Sequence, residues 1–184
     1  MQTTLPSRVI TGAVLPRTTV ITAASIVGFA LLTAAAAQVR IQLPFTPVPI
    51  TGQTFAVLLS GAALGAVAGG ASQLLYLGLG AVGLPFYAGG EAGWDVVSGA
   101  TGGYLLGFVA AAIVVGMLAE RRQDRTVWSA MPAFLLGSVV IYFIGVPWLY
   151  ASVDAITTGE QAVATGFTPF IIGDLIKIGL AGLL

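Results

Sequence analysis

The stretch TTVITAASIVGFALLTAAAAQV, residues 18–39, decides the fold of this chain. It carries no charge and is longer than the roughly 20 residues that cross a bilayer as a helix. Arg8 and Arg17 precede it, but the apolar run is too long for the core of a cleaved signal peptide, so we predict a spanning helix. The whole chain of 184 residues is 57% hydrophobic and only 8% charged. Soluble domains carry roughly 25% charged residues, so we predict an integral membrane protein.

Outward from this helix, charges and prolines divide the chain. Residues 40–51 contain prolines at 44, 47 and 49 and are predicted to form a rigid extended loop. Residues 41–90 contain no charge, which is too long for one crossing and fits two. We predict an all-α bundle of six transmembrane helices, forming a single domain over residues 1–184, near 18–39, 52–69, 71–85, 103–119, 129–149 and 167–184. The glycine-rich segment 84–103 is predicted to be a loop with a short helix at its centre, and 150–166 another outer loop.

The arginines predict the orientation. Five of them lie before helix 1 or between helices 4 and 5, at positions Arg8, Arg17, Arg121, Arg122 and Arg125. The opposite loops contain one arginine, Arg40, together with the acids Glu91, Asp95, Asp154 and Glu160. Cytoplasmic loops of membrane proteins are enriched in Lys and Arg. Both termini are therefore predicted to be cytoplasmic, and the proline and glycine loops face outward.

Small residues recur at four-residue spacing on three of the predicted helices. They are Gly61, Gly65 and Gly69 on helix 2, Gly103 and Gly107 on helix 4, and Ala30 and Ala34 on helix 1. Small faces allow two helix backbones to approach closely in lipid. On helices 2 and 4 we interpret them as internal packing. On helix 1 they indicate either internal packing or a docking face for another membrane protein.

Two ionisable residues lie inside a predicted membrane helix, Asp174 and Lys177 in the motif GDLIK. Such groups are costly in lipid and mark functional sites by default. Residues three apart share one face of a helix, so both side chains can point into one cavity. At about 1.5 Å per residue from Phe167, they lie roughly 10 and 15 Å along helix 6, within reach of the outer side. We predict a polar ligand site; a purely structural ion pair is the alternative.

Other classes of function are poorly supported. The chain has no Cys and no His, so it lacks a disulfide framework and the commonest metal ligand, and we expect no metal or cofactor. It also has no P-loop and none of the HExxH or GxSxG hydrolase motifs, so we do not expect an enzyme. A net charge of zero without a basic patch argues against nucleic acid. Tyr87, Trp94 and Tyr104 flank the glycine loop either as interfacial anchors or as walls of a pocket.

Four motifs carry a family resemblance. In order they are LPFTPVPITGQTFAVLLSGAALG, YLGLGAVGLPFYAGG, GATGGYLLGF and GFTPFIIGDLIKI. Together they resemble the BioY family, the biotin-specific substrate-binding (S) component of energy-coupling factor (ECF) transporters, over about residues 18–180. The family usually has a proline where this chain has Ala100, which puts the stiffness of that loop in doubt.

The resemblance implies high-affinity biotin uptake across the cell membrane of a prokaryote. The pocket would face outward, and the partners would be a membrane coupling (T) protein and two cytoplasmic ATPases. It also implies the binding residues: Asp174 would accept ureido N–H bonds, and Lys177 would donate to the ureido carbonyl or pair with the tail carboxylate. Further expected contacts are Gln53, Tyr87, Gly89, Gly90, Trp94 and Tyr104, and the docking residues for the coupling protein are Ala30 and Ala34.

Two other classes of protein remain as alternatives. One is an ion- or proton-coupled secondary transporter of a small carboxylate, in which the acid–base pair acts as a relay. Such transporters often contain internal repeats, and residues 18–85 and 103–184 are not convincingly similar. The other is a membrane scaffold without a ligand, which would leave Asp174 and Lys177 unexplained.

Overall fold

Helices account for most of the residues that the computed structural model describes, 19–121 and 127–182. The α-helices are α1 Thr19–Gln38, α2 Gln53–Leu64, α3 Ala66–Ala81, α4 Trp94–Ser98, α5 Gly102–Arg121, α6 Val127–Ser152, α7 Gly159–Gly166 and α8 Ile171–Gly182. The structure also contains two 3₁₀ turns, Ala88–Gly90 and Thr168–Phe170. Its two short strands are β1 Arg40–Ile41 and β2 Ile50–Thr51. Of the arginines that predict the orientation, Arg8, Arg17, Arg122 and Arg125 lie outside the described residues.

Four segments of the described chain are long and apolar enough to cross a membrane. They are Thr19–Gln38, Gly102–Arg121, Met131–Ser152 and Gly159–Gly179, while α2 and α3 are apolar but shorter. The first three match the predicted helices 1, 4 and 5 closely. The prediction of an all-α membrane protein is therefore confirmed at the level of its class.

The predicted bounds of helices 2 and 3 were wrong. The first of them ends at Leu64 rather than near residue 69, because Gly65 has φ of +83°, a backbone conformation that side chains with a Cβ rarely adopt. Gly69 therefore belongs to α3 and packs back onto α2. A Cβ on Gly69 would lie 2.9 Å from the Cα of Gly61. The glycines thus serve internal packing, as predicted, but between two helices rather than along one.

The prediction for the C-terminal third also needs correction. Residues 150–166 are not a loop throughout, because α7 occupies Gly159–Gly166, with the Thr158 hydroxyl capping its start by accepting from the backbone N–H of Gln161 (3.2 Å). A 3₁₀ turn containing Pro169 follows, and α8 begins only at Ile171. Asp174 therefore lies in the first turn of α8. A helix N-terminus favours negative charge, which an unbroken helix from Phe167 would not offer at this position.

The two loops predicted to lie on the outer side are ordered by short elements. Residues 40–51 close into a small antiparallel ribbon, in which Arg40 pairs with Thr51 and Ile41 with Ile50. In the glycine loop the predicted short central helix is confirmed as α4. These segments cover the end of the bundle at which α2 and α5 begin.

Helix α5 lies at the centre of the bundle and packs against α2, α3 and α6. Small residues make this possible: a Cβ on Gly107 would lie 3.0 Å from the Cα of Ile141 on α6. The predicted internal packing of that glycine pair is confirmed. On α1, Ala30 and Ala34 are buried (0% and 7% exposed) in the main apolar core. Their burial favours internal packing over an exposed docking face in this conformation.

Candidate binding site

A cavity with both apolar and polar walls lies under the two ordered loops. Its walls come from the proline loop with the start of α2, from the glycine loop with the start of α5, and from α6 and α8. Apolar side chains on the wall include Leu105, Phe108, Ile141 and Phe170. The charged residues on the wall are Arg40, Glu91, Asp174 and Lys177. An apolar cavity with a few convergent polar groups is the usual form of a small-molecule site.

A network that we name the carboxylate cluster, consisting of Asp174, Lys177, Thr54 and Tyr142, forms one part of this wall. The ammonium of Lys177 donates to Asp174 Oδ1 (2.9 Å) and to Thr54 Oγ1 (3.0 Å). The Thr54 hydroxyl donates to Asp174 Oδ1 (3.2 Å), and the Tyr142 hydroxyl donates to Asp174 Oδ2. Three helices, α2, α6 and α8, thus converge on a single carboxylate.

The electrostatics of this cluster explain how a charge persists inside an apolar bundle. Asp174 is only 5% exposed, and an isolated buried carboxylate would be strongly destabilising. Here it is compensated by one cation and two hydroxyl donors, so the cluster carries no net charge. Because an ammonium has three donors and Lys177 uses two, one remains for a ligand. The arrangement can recognise a polar group that presents both donors and an acceptor.

Three more of the predicted residues, Gln53, Tyr87 and Tyr104, also line the cavity. Their polar atoms already have protein partners. Gln53 Nε2 donates to the Tyr76 hydroxyl (2.5 Å), and the Tyr104 hydroxyl donates to the Gly166 carbonyl (2.8 Å). The Tyr87 hydroxyl likewise donates to a carbonyl, and burial raises the pKa of Tyr87 to about 12, so the phenol stays neutral near pH 7. These two tyrosines therefore offer the cavity mainly their rings.

Three other predicted residues, Gly89, Gly90 and Trp94, do not lie on the cavity wall, although their neighbours Ala88 and Glu91 do. Trp94 is 67% exposed at the start of α4. Gly89 and Gly90 have φ of +75° and +79° and shape the 3₁₀ turn. Direct ligand contact by these three stays a prediction.

The sequence analysis missed Thr54, Tyr142 and Arg40. Thr54 and Tyr142 are ordinary helix residues by sequence, 120 and 32 positions away from Asp174. A hydroxyl inside an apolar run, such as Tyr142 in VVIYFIGV, was the available signal, but it did not indicate a partner. Arg40 stood out only as an arginine on the acidic side of the topology.

A second polar group, which we name the amide cluster, lies outside the cavity between α1, α2 and α3. It consists of Gln73, Thr33, Ser60 and Ser72, all 0% exposed. Gln73 Nε2 is within hydrogen-bonding distance of all three hydroxyls, at 3.0 to 3.2 Å. Among the described residues Gln73 Oε1 has no partner. This cluster is neutral and sealed.

The described ranges contain no group of three or more carboxylates that could hold a metal ion. The cavity itself holds two carboxylates, Glu91 and Asp174, and the second is bound to Lys177. The donor set therefore fits an organic ligand with polar ends better than a cation.

Comparison with known proteins identifies relatives of this chain. The model of the BioY family matches residues 8–184. A biotin transporter BioY of Thermotoga maritima is 41% identical over 144 residues, covering 78% of this chain and 82% of that protein. A biotin transporter BioY of Rhizobium etli is 38% identical over 151 residues, covering 78% and 79%. The crystal structure of an S-component for biotin from an ECF-type ABC transporter superposes with a TM-score of 0.82 at 24% identity, covering 92% of this chain and 90% of that one.

Proposed function

The chain belongs to the BioY family, and from that premise we propose that it takes up biotin as the substrate-binding component of an ECF-type transporter. The observation that carries the proposal is the match over residues 8–184, together with relatives named biotin transporters that align over most of their length. The similar fold of a biotin S-component supports it. We expect a transport protein rather than an enzyme, acting as one membrane domain.

The cavity has the chemistry that biotin requires. Biotin presents a ureido ring with two N–H donors and one carbonyl, an apolar sulfur ring and an anionic tail. In our proposal the Asp174 carboxylate accepts ureido N–H bonds and the free donor of Lys177 is used by the ligand. Charge-assisted bonds of this kind are roughly twice as strong as neutral ones. The rings of Tyr104, Phe108 and Phe170 would cover the sulfur ring.

This chain contains no P-loop motif, so transport driven by ATP would require the nucleotide to bind to another chain. We propose that a membrane coupling protein and two cytoplasmic ATPases supply the energy. Docking through Ala30 and Ala34 stays part of this proposal, but both are buried in the free chain. Docking through these two residues would require α1 to separate from the rest of the bundle. A lower thermal stability of this chain in the presence of the coupling protein would be the sign of such a separation.

We further propose six crossings, both termini in the cytoplasm of a prokaryotic cell, and a cavity open to the outside. Helix α5 supports this: it starts beside the cavity and ends at Arg121, about 30 Å away at 1.5 Å per residue. Glu91 lies at the cavity end. A single cysteine at position 91 should react with an impermeant reagent on intact cells, and one at 123 should not. Preferential labelling at position 123 would show that the chain has the opposite orientation in the membrane.

The binding experiment tests the function directly. The purified chain in detergent, without ATP or partners, should bind biotin saturably in calorimetry at micromolar concentration. Lipoate is the control ligand, because it has a carboxylate tail and a sulfur ring but no ureido group, and it should bind far more weakly. Absence of saturable binding would show that biotin is not the substrate. Ion-driven carboxylate uptake by proteoliposomes containing only this chain would favour a secondary transporter.

A further inference from the structure

Helices α5 and α6 approach each other closely at the end of the bundle that holds the cavity. Trp148 of α6 lies over Gly103 of α5, where a Cβ on the glycine would overlap the Cβ of the tryptophan. Further along the two helices, a Cβ on Gly107 would lie 3.0 Å from the Cα of Ile141. Residue numbers thus rise along α5 as they fall along α6, so the helices are antiparallel. Small residues allow two helix backbones to approach in this way.

Between these two contacts the arrangement is reversed, because α5 provides the aromatic ring and α6 the glycine. A Cβ on Gly145 would lie 2.5 Å from Cδ1 of the Tyr104 ring. Trp148 and Tyr104 therefore each occupy a bare backbone position on the opposite helix. Packed interiors leave no free space for a displaced ring. The two aromatic side chains consequently fix the register of α5 against α6.

A hydrogen bond makes the position of Trp148 specific. Its indole Nε1–H donates to the carbonyl of Gly99 (3.0 Å), in the segment that joins α4 to α5. Helix α5 begins soon after this residue, at Gly102. Trp148 thus holds the start of α5 in place from α6, although Trp148 itself does not line the cavity.

The contacts continue from the start of α5 to the carboxylate cluster. The ring of Tyr104 meets the ring of Tyr142 edge-on, at a centroid distance of 6.2 Å and an interplanar angle of 82°. The Tyr142 hydroxyl in turn donates to Asp174. An unbroken set of contacts therefore runs from Trp148, through the two tyrosines, to the buried carboxylate.

We propose that Trp148 is a positioning residue, which fixes the register of α5 against α6 and thereby aligns the Tyr142 hydroxyl with Asp174. Trp148 affects ligand binding without touching the ligand. The inference rests on the proposed biotin function for its binding measurement, whereas the register of the two helices does not depend on the identity of the ligand.

The binding experiment compares Trp148→Phe, which removes the indole N–H, with the parent by calorimetry on the purified chain. Biotin affinity per folded molecule should fall by about two- to tenfold, the equivalent of one net hydrogen bond. In a Tyr142→Phe background the same change should alter affinity by less than about twofold, because the hydroxyl that Trp148 aligns is already absent. A tryptophan with a merely structural role would not show this dependence on Tyr142.

Phe143→Leu is the matched control, since it alters an aromatic residue of the same helix that is 78% exposed. It should leave biotin affinity within about twofold of the parent. Gly103→Ala disturbs the same contact from α5 while keeping the indole, and it should show the same dependence on Tyr142. Unchanged affinity in folded Trp148→Phe overturns the proposal. Losses that add fully to that of Tyr142→Phe also overturn it, because Trp148 would then act by another route.

A measurement without ligand separates this inference from the proposed function. The amides of Gly102, Tyr104 and Leu105 donate to the carbonyls of residues 99 and 101. Their hydrogen exchange should be faster in Trp148→Phe than in the parent and in Phe143→Leu, because the start of α5 has lost its tie to α6. Unchanged exchange contradicts the role of Trp148 in the register. If the parent binds no biotin, the biotin function fails, and the exchange rates alone decide the role of Trp148.

Discussion

Two polar clusters lie in one apolar bundle, and they differ in charge, in access to the cavity and in how completely they are buried. The carboxylate cluster is charged, lines the cavity and leaves Lys177 17% exposed at its side chain. The amide cluster is neutral and entirely sealed. Each of its hydroxyls also donates to a carbonyl of its own helix, at Phe29, Val57 or Gly69. The difference is the reason why we assign the ligand, in our proposal, to the charged cluster that opens to the cavity and not to the neutral sealed one.

The largest expected effect breaks the charge pair. Asp174→Asn keeps the shape but removes the charge that balances Lys177, and Lys177→Met keeps the stem without its donors. Truncating one partner of a buried charged pair typically costs about 2–5 kcal/mol of binding, or roughly 30- to 5,000-fold in affinity. We expect at least a tenfold loss of biotin affinity per folded molecule, measured by calorimetry after size-exclusion chromatography. If both variants bound biotin with the affinity of the parent but had lower thermal stability, the pair would have a purely structural role.

A smaller effect is expected from Tyr142→Phe, which removes one hydroxyl donor from Asp174 and keeps the ring. Hydrogen bonds to charged groups are worth about 1.5–3 kcal/mol, so biotin affinity should fall by roughly 10- to 150-fold. The control is Tyr150→Phe, the same change on an exposed residue of the same helix. Equal affinities for the two variants would exclude Tyr142 from the site.

The smallest effect should come from the amide cluster. Gln73→Met removes the amide but leaves every hydroxyl of the cluster with a hydrogen-bond partner. Thr33, Ser60 and Ser72 still donate to backbone carbonyls. Interhelical hydrogen bonds in membranes average about 0.6 kcal/mol and reach about 1.7. The free energy of unfolding should fall by no more than that, and biotin affinity should stay within about twofold of the parent. A tenfold loss of biotin affinity in Gln73→Met would show that the amide cluster is coupled to the cavity. The contrast between the amide cluster and the carboxylate cluster would then be wrong.

The candidate site was predictable where the signal was local. Asp174 and Lys177 could be found because charges inside an apolar run are rare and costly. Tyr142 could not be assigned to the site, because a tyrosine in a hydrophobic helix is as compatible with the core or the membrane interface. Its role depends on α6 packing so that its hydroxyl meets a carboxylate 32 residues later.

The helix boundaries show the same division. Helix 1 was predicted within one residue at each end, because an uncharged run between polar residues has clear limits. The break at Gly65 was not predicted, since glycine in a membrane helix is common and its φ is decided by the packing of α3 onto α2. Likewise the turn from α7 into α8 interrupts a stretch that is apolar enough to read as one helix.

By itself the sequence determined the membrane class, most of the helices, the acid–base pair and the family. These follow from hydrophobicity, charge and motif order, which are properties of the chain read in one dimension. Only the tertiary structure decided which of two buried polar clusters opens to the cavity and which glycines bring helices together. It also placed the side chain of Arg40, on the cavity wall, over the backbone of Gly89. The physical reason is that hydrogen bonds and direct ion pairs form only at about 3 Å, and only packing brings residues distant in sequence within that range.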